Sequence, residues 1–255
     1  MKKRLFLKTL ASVTAAITLG SCDRAEDSGL SLHEVENHAV LQLYYPPSVD
    51  AVLSIIGGDG TYAAASSDES VLKATTVQEQ KTLVLTPLSP GEATVTLSDG
   101  ANNVYTLSVN ISFRESSFVI KERAVRIRGG NLTEEEKKDI EAKALATVPV
   151  QVNGGYRFTF TNEDGYSGKV TVYAETFGEN GEEGVFEMQV EDENSAGHIK
   201  YVMRLNGRER IFHLATYDPS TRTSPKIDMV FAEDVTGLIQ PDYPDVELVY
   251  TEQIF

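Results

Sequence analysis

The side chain with the clearest chemical assignment is a single thiol. Cys22 is the only cysteine in the chain, and a thiolate is a strong side-chain nucleophile. With no second cysteine it has no disulfide partner. The histidines are His33, His38, His198 and His213. Zinc sites on regular elements favour His-x-His or His-x-x-x-His spacings, and these histidines show neither. They read as structural or surface residues. A Gly-x-Ser-x-Gly nucleophile elbow is absent. The 38 acidic residues offer many pairs for glycoside hydrolysis, and that abundance singles out none.

The acidic turns Asn162-Glu163-Asp164-Gly165 and Glu179-Asn180-Gly181-Glu182-Glu183 could present oxygens to calcium. Neither has the EF-hand ligand spacing, so they read as solvated hairpin tips, as does Glu191-Asp192-Glu193. Gly57-Gly58-Asp59-Gly60 lies between strand patterns, where a hairpin turn explains it better than a phosphate loop. Tyr44-Tyr45-Pro46-Pro47 and Pro241-Asp242-Tyr243-Pro244 are candidate recognition patches, although Tyr beside Pro is also common at strand ends. The expectation is therefore no catalytic residue, no cofactor and no metal site.

The segment before Cys22 explains the cysteine. Lys2, Lys3, Arg4 and Lys8 form a basic start, and Thr9–Leu19 is apolar. That apolar run is well short of the roughly 20 residues a spanning helix needs. A basic start, a short apolar middle and small residues at the end make a secretory signal peptide over residues 1–21. Leu19-Gly20-Ser21-Cys22 resembles the lipobox of bacterial lipoprotein precursors. The resemblance implies a diacylglycerol on the Cys22 sulfur, cleavage before Cys22, and acylation of the freed amine. Two or three acyl chains anchor stably where one is marginal. Residues 22–37 then read as a lipidated tether. Asp23, Glu26 and Asp27, interrupted by Arg24, partly resemble the export signals of surface lipoproteins in the Bacteroidota. Asp directly after Cys also resembles an inner-membrane retention signal of enteric bacteria. The two conflict; the outer membrane is the favoured location, with its surface and periplasmic faces both open.

Residues 38–112 contain seven short β patterns: 39–45, 51–56, 61–66, 71–76, 82–86, 93–98 and 104–112. Such spacing suggests a β-sandwich. Thr82-Leu83-Val84-Leu85-Thr86 alternates apolar and polar, as a half-buried strand must. Gly57-Gly58-Asp59-Gly60-Thr61-Tyr62, Ser66 to Val71, Leu88 to Asp99 and Tyr105 to Ile111 resemble a bacterial immunoglobulin-like domain of adhesins and invasins. The Pro90-Gly91-Glu92-Ala93-Thr94-Val95 turn and strand is the most specific part. Such domains serve as spacers or adhesion modules, and a spacer is the expectation here.

Residues 115–255 begin with one long strand pattern, 117–128, with Arg123, Val125 and Ile127 on a shared face. Thr133-Glu134-Glu135-Glu136 is a capping box that starts a helix over about 133–146. Strand patterns follow at 156–161, 169–177, 185–191, 198–205, 209–216, 226–233 and 247–255. Asn206-Gly207 is a type I′ hairpin turn. The expected fold class is mainly β: an Ig-like sandwich, then an antiparallel meander or curved sheet with one helix. The overall pattern is similar to C-terminal modules of Bacteroidota envelope lipoproteins of no assigned function.

The net charge is −15, and loss of the signal's bases makes it −19. That charge repels phosphate backbones and anionic lipid headgroups, so nucleic acid is excluded as a partner. The expected function is a non-enzymatic envelope lipoprotein whose Ig-like spacer presents the C-terminal domain to an envelope protein or glycan. A glycan- or peptide-acting hydrolase using C-terminal carboxylates and a structural assembly component are the alternatives. Cys22→Ala is expected to abolish palmitate labelling and release the protein from the membrane pellet. A Cys22→Ala protein that still sediments with membranes would refute the anchor.

Overall fold

The computed structural model describes residues 29–36, 39–190, 199–217 and 228–255. The signal segment, Cys22, His38, His198, Glu191-Asp192-Glu193 and the expected turns at 194–197 and 218–219 lie outside those residues. The chain is mainly β and divides into two compact units, Met1–Phe113 and Arg114–Phe255.

Unit 1 is an Ig-like sandwich. Its strands are β1 (Ser31–Leu32), β2 (Val40–Tyr45), β3 (Ala51–Ile56), β4 (Tyr62–Ser66), β5 (Leu72–Val77), β6 (Thr82–Pro87), β7 (Gly91–Asp99) and the part of β8 (Val104–Val119) up to Phe113. One sheet runs β1-β3-β6-β5 and the other β4-β7-β8-β2. The opening strand is split between them: β1 pairs β3 antiparallel, whereas β2 pairs β8 in parallel. Alternation sets the inner face. Leu83 and Leu85 of β6, Val95 and Leu97 of β7, and Leu107, Val109 and Ile111 of β8 are buried in one cluster, while Thr94, Thr96 and Ser98 take the outer positions of β7.

The structure corrects the tether at its end. Leu30, Leu32 and Val35 are buried in the unit 1 core. Ser31 and Leu32 pair with Ile56 and Ile55. The Glu34 carboxylate accepts hydrogen bonds from the Ser54 N–H and hydroxyl, both at 2.8 Å. Few apolar residues occur in this acidic stretch, but Leu30 and Leu32, two positions apart, and Val35 beyond them all enter the core.

Unit 2 is built on one antiparallel sheet. After the Arg114–Val119 end of β8 come β9 (Glu122–Gly129), α1 (Glu134–Thr147), β10 (Gly155–Phe160), β11 (Ser167–Tyr173), β12 (Glu182–Val190), β13 (Ile199–Leu205), β14 (Arg208–Tyr217), β15 (Asp228–Asp234), α2 (Thr236–Ile239) and β16 (Val246–Ile254). The order is β8-β10-β11-β12-β13-β14-β15-β16-β9. The strand expected over 117–128 is two strands. At the break, the Ile120 N–H donates to Gly154 O at 2.9 Å and the Lys121 N–H to Ile254 O at 2.8 Å. The chain thus passes from pairing with β10 to pairing with β16. The first and last strands of the sheet are only two residues apart, so the sheet curls strongly.

Inside that curl lies an aromatic core. Phe118, Tyr156, Phe158, Phe186, Tyr201, Phe212, Phe231 and Phe255 all belong to one cluster. Phe231 lies 5.2 Å from Phe118, 5.6 Å from Tyr156 and 5.1 Å from Phe255 between ring centroids. Rings from distant strands therefore fill the interior by edge and tilted contacts. Burial pushes the Tyr201 phenol up to about 12 against the opposing field of Arg114.

The expected capping box is present: the Thr133 hydroxyl accepts from the Glu136 N–H at 3.2 Å, and Glu136 accepts from the Thr133 N–H at 2.8 Å. Pro149 ends α1 by forcing Val148 out of helical geometry (φ −74°, ψ 120°). Asn206 and Gly207 both have positive φ, 47° and 74°, as a type I′ turn requires. The short helix α2 was not expected from sequence; the Asp234 carboxylate accepts from the Thr236 N–H at its start. Among the described residues no helix is long and apolar enough to cross a membrane.

Leu32→Ala tests the corrected domain edge. Loss of a fully buried leucine is expected to cost about 2–4 kcal/mol in urea unfolding. A change near zero would return this segment to the tether.

Candidate functional site

Most sequence candidates serve their own turns. His33 is exposed, with Nδ1 3.9 Å from a Glu34 carboxylate oxygen. His213 lies on β14 between the inward-facing Phe212 and Leu214. Among the described residues no three His, Cys, Asp or Glu gather as a metal-holding group. In the Asn162–Gly165 turn, Asp164 accepts from the Tyr166 N–H at 2.8 Å, and the Arg114 guanidinium donates to Gly165 O. Glu182 accepts from the Asn206 amide.

The Gly57–Gly60 loop is a structural turn. Gly57 has φ 75°, and a Cβ there would fall 1.5 Å from Gly29 O. Buried Asp99 anchors the neighbouring loops, accepting from Asn103 Nδ2 at 2.8 Å and from the N–H groups of Asp59, Ala101 and Asn103. The Asn103 amide leads the effects that hold its carboxyl below the usual range, with the backbone donors adding to it and burial opposing. These are donors facing a carboxylate, the opposite of a cation site. Ser70-Val71-Leu72-Lys73 has a Ser-x-x-Lys spacing that sequence reading overlooked. That spacing brings the two side chains onto one face only on a helix, and here it runs from a turn into β5. The Ser70 hydroxyl donates instead to Asp68 at 2.6 Å.

The two aromatic patches differ. Tyr44 is 48% exposed, while Tyr45 packs 6.4 Å from Phe113. Tyr243 is a clamp: its hydroxyl donates to Asp139 of α1 at 2.6 Å, and Lys143 of α1 bridges Asp139 and Asp242 at 2.9 and 2.6 Å.

The arrangement that sequence reading missed is a polar layer inside unit 2. Along one face of β16, Val249 joins the apolar cluster beneath α1, and at the strand's end Phe255 packs against the aromatic core. Thr251 and Gln253 lie between them and are wholly buried. Val235, just past the end of β15, and Glu233 and Phe231 within it follow the same sequence of apolar, polar and aromatic. Arg123 is the register partner of Gln253 on β9. Arg210 of β14 forms a paired-nitrogen salt bridge with Glu233, its Nε donating at 3.0 Å. The side chains of Arg210 and Glu233 are only 20% and 13% exposed.

Both arginines also reach the C-terminal end of α1. Arg123 donates to Leu145 O at 2.6 Å and Arg210 to Thr147 O at 2.7 Å. The helix has no basic residue in its own last turn, so these strand residues supply the donors and positive charge its terminal carbonyls need. From the aromatic side, the Tyr156 hydroxyl donates to Gln253 Oε1 at 2.8 Å. Burial leads the effects that hold the Tyr156 phenol neutral, far above its ordinary range. A sequence signal existed: Arg123 shares a strand face with Val125 and Ile127, and a charge on an apolar face demands a buried partner.

No family model matches the chain, and no curated protein matches it.

Glu233→Leu is expected to cost about 3 kcal/mol, because it strands a buried guanidinium. Arg210→Met in the same chain should recover part of that loss. A double-mutant cycle by urea unfolding with no coupling would refute the pair's role.

Proposed function

We propose that the protein is a lipid-anchored component of the bacterial envelope. On this reading, unit 1 is a spacer and unit 2 binds an envelope protein or glycan on its outer surface. The observation that carries the reading is the filled interior of unit 2, where rings meet at 4.5–6.2 Å. A partner therefore meets the outside of the sheet.

The carboxylates favour binding over hydrolysis. Glycoside hydrolysis needs a carboxyl held protonated near neutral pH. Every described carboxylate with a displaced pKa (Glu34, Asp68, Asp99, Glu136 and Asp139) is displaced downward. Several others are tied to arginine: Glu252 to Arg126 at 2.9 Å, Glu209 to Arg204 at 2.9 Å, and Glu233 to Arg210.

The lipobox resemblance supports the anchor. Leu30 already belongs to the sandwich core. The chain from Cys22 to Leu30 can span at most about 28 Å when fully extended. The proposed anchor thus keeps the start of unit 1 close to the lipid surface, and reach beyond it comes from folded domain.

Labelled mature chain carrying Cys22→Ala is expected to be retained saturably by intact cells lacking the native protein. Loss of retention after protease treatment assigns a protein partner, and loss after glycosidase treatment assigns a glycan. Absence of saturable retention would sink the binding role. In membrane fractionation the native protein should follow the outer membrane, and recovery with the inner membrane would overturn that location.

A further inference from the structure

Gln253 Nε2, Thr251 Oγ1 and Arg123 Nε are buried and have no hydrogen-bond partner. These atoms belong to one patch of the structure. Gln253 and Arg123 face each other across β16 and β9, and Thr251 stands two residues along the same face of β16. Directly opposed side chains in a sheet have Cβ atoms about 5 Å apart, and diagonal neighbours about 7–8 Å.

The Tyr156 hydroxyl meets Gln253 Oε1 at 2.8 Å. Gln253 Nε2 is left without a partner in the protein. A buried amide left half-bonded costs far more than one that is satisfied, and Thr251 and Gln253 have 0% exposure to bulk water. Internal water commonly answers such a deficit, bridging buried polar groups that lack protein partners.

We propose that the polar layer of unit 2 is a binding site for one ordered water molecule, held by Gln253 Nε2, Arg123 Nε and Thr251 Oγ1. The two N–H groups donate to the water oxygen. The water's own hydrogens reach acceptors, which the layer supplies as the Thr251 oxygen and the free lone pair of the Tyr156 hydroxyl.

Both arginines of the layer already have partners within the protein. Arg210 is matched by Glu233 and by Thr147 O, and Arg123 by Leu145 O and the Gln151 side-chain oxygen. The C-terminal end of α1 adds partial negative charge at the same place. The water completes a polar seam that ties β9, β16 and β10 together beside the end of α1.

A high-resolution crystal structure of the mature chain, grown with bromide replacing chloride, tests this. The expected result is a water peak within hydrogen-bond distance of at least two of the three unpartnered atoms, with no anomalous signal. A bromide peak there would overturn water in favour of an anion. No density, with these side chains bonded to one another, would overturn the site altogether. In solution, oxygen-17 relaxation dispersion should show one fewer long-lived water in the Thr251→Val/Gln253→Leu chain. A folded double variant that keeps the full amplitude would also overturn the proposal. Should that variant fail to fold, the crystal structure of the unchanged chain still decides.

Discussion

Unit 2 is organised around the C-terminal end of α1. The last carbonyls of a helix have no partners within it, and α1 carries no basic residue in its last turn to cover them. Arg123 and Arg210 do so, at 2.6 and 2.7 Å. The two arginines come from β9 and β14, which are separated in the sheet by β16 and β15. One helix end can meet both strands only where the sheet bends around it. Glu233, on the intervening β15, balances Arg210. Charge compensation and sheet curvature are therefore one constraint: flattening the sheet would pull a guanidinium from its carbonyl and leave buried charge uncompensated.

The same constraint explains why unit 2 has two apolar clusters. A continuous strand face could have run uninterrupted from Val249 to Phe255. Instead Thr251 and Gln253 divide it, and Glu233 divides the matching face between Val235 and Phe231. Below the divide, Ile140 and Ala144 of α1 pack on Val246 and Val249. Above it, rings from β8, β10 and β15 interlock. A wholly apolar interior would give the helix many sliding positions of similar energy. Hydrogen bonds to Leu145 O and Thr147 O admit one. The polar layer thus sets register, a role for which buried polar groups are suited even where they add little net stability.

Local chemistry was legible in the sequence; closure was not. Alternation in Thr82–Pro87 placed Leu83 and Leu85 inward, and they are wholly buried. Thr133 and Glu136 announced the helix start, and Asn206-Gly207 announced its turn. Each of these signals is complete within a few residues. The errors came where a residue's partner is remote. Leu30 and Leu32 looked like tether because β3, which receives them, lies more than 20 positions along the chain. The pattern over 117–128 was unbroken because both sides of the Ile120–Lys121 junction are true strand. Only their pairing changes, from β10 to β16. Arg123 was visible as a charge among apolar residues, but its partners Leu145 O and Gln151 lie on and just after α1.

The corrected edge of unit 1 also changes what a spacer would mean here. A tether of 15 or so residues would act as a flexible chain, whose mean reach grows only as the square root of its length. Folding of Leu30, Leu32 and Val35 into the sandwich removes much of that chain. A sandwich instead has a fixed length, set by strands rising about 3.3 Å per residue. On the proposed anchoring, distance from the lipid would be a property of folded structure rather than of chain entropy. An acidic body suits that arrangement. A net charge of −15, more negative still if the proposed signal is removed, would repel anionic headgroups within about a Debye length, so on that proposal the domain would stand away from the surface.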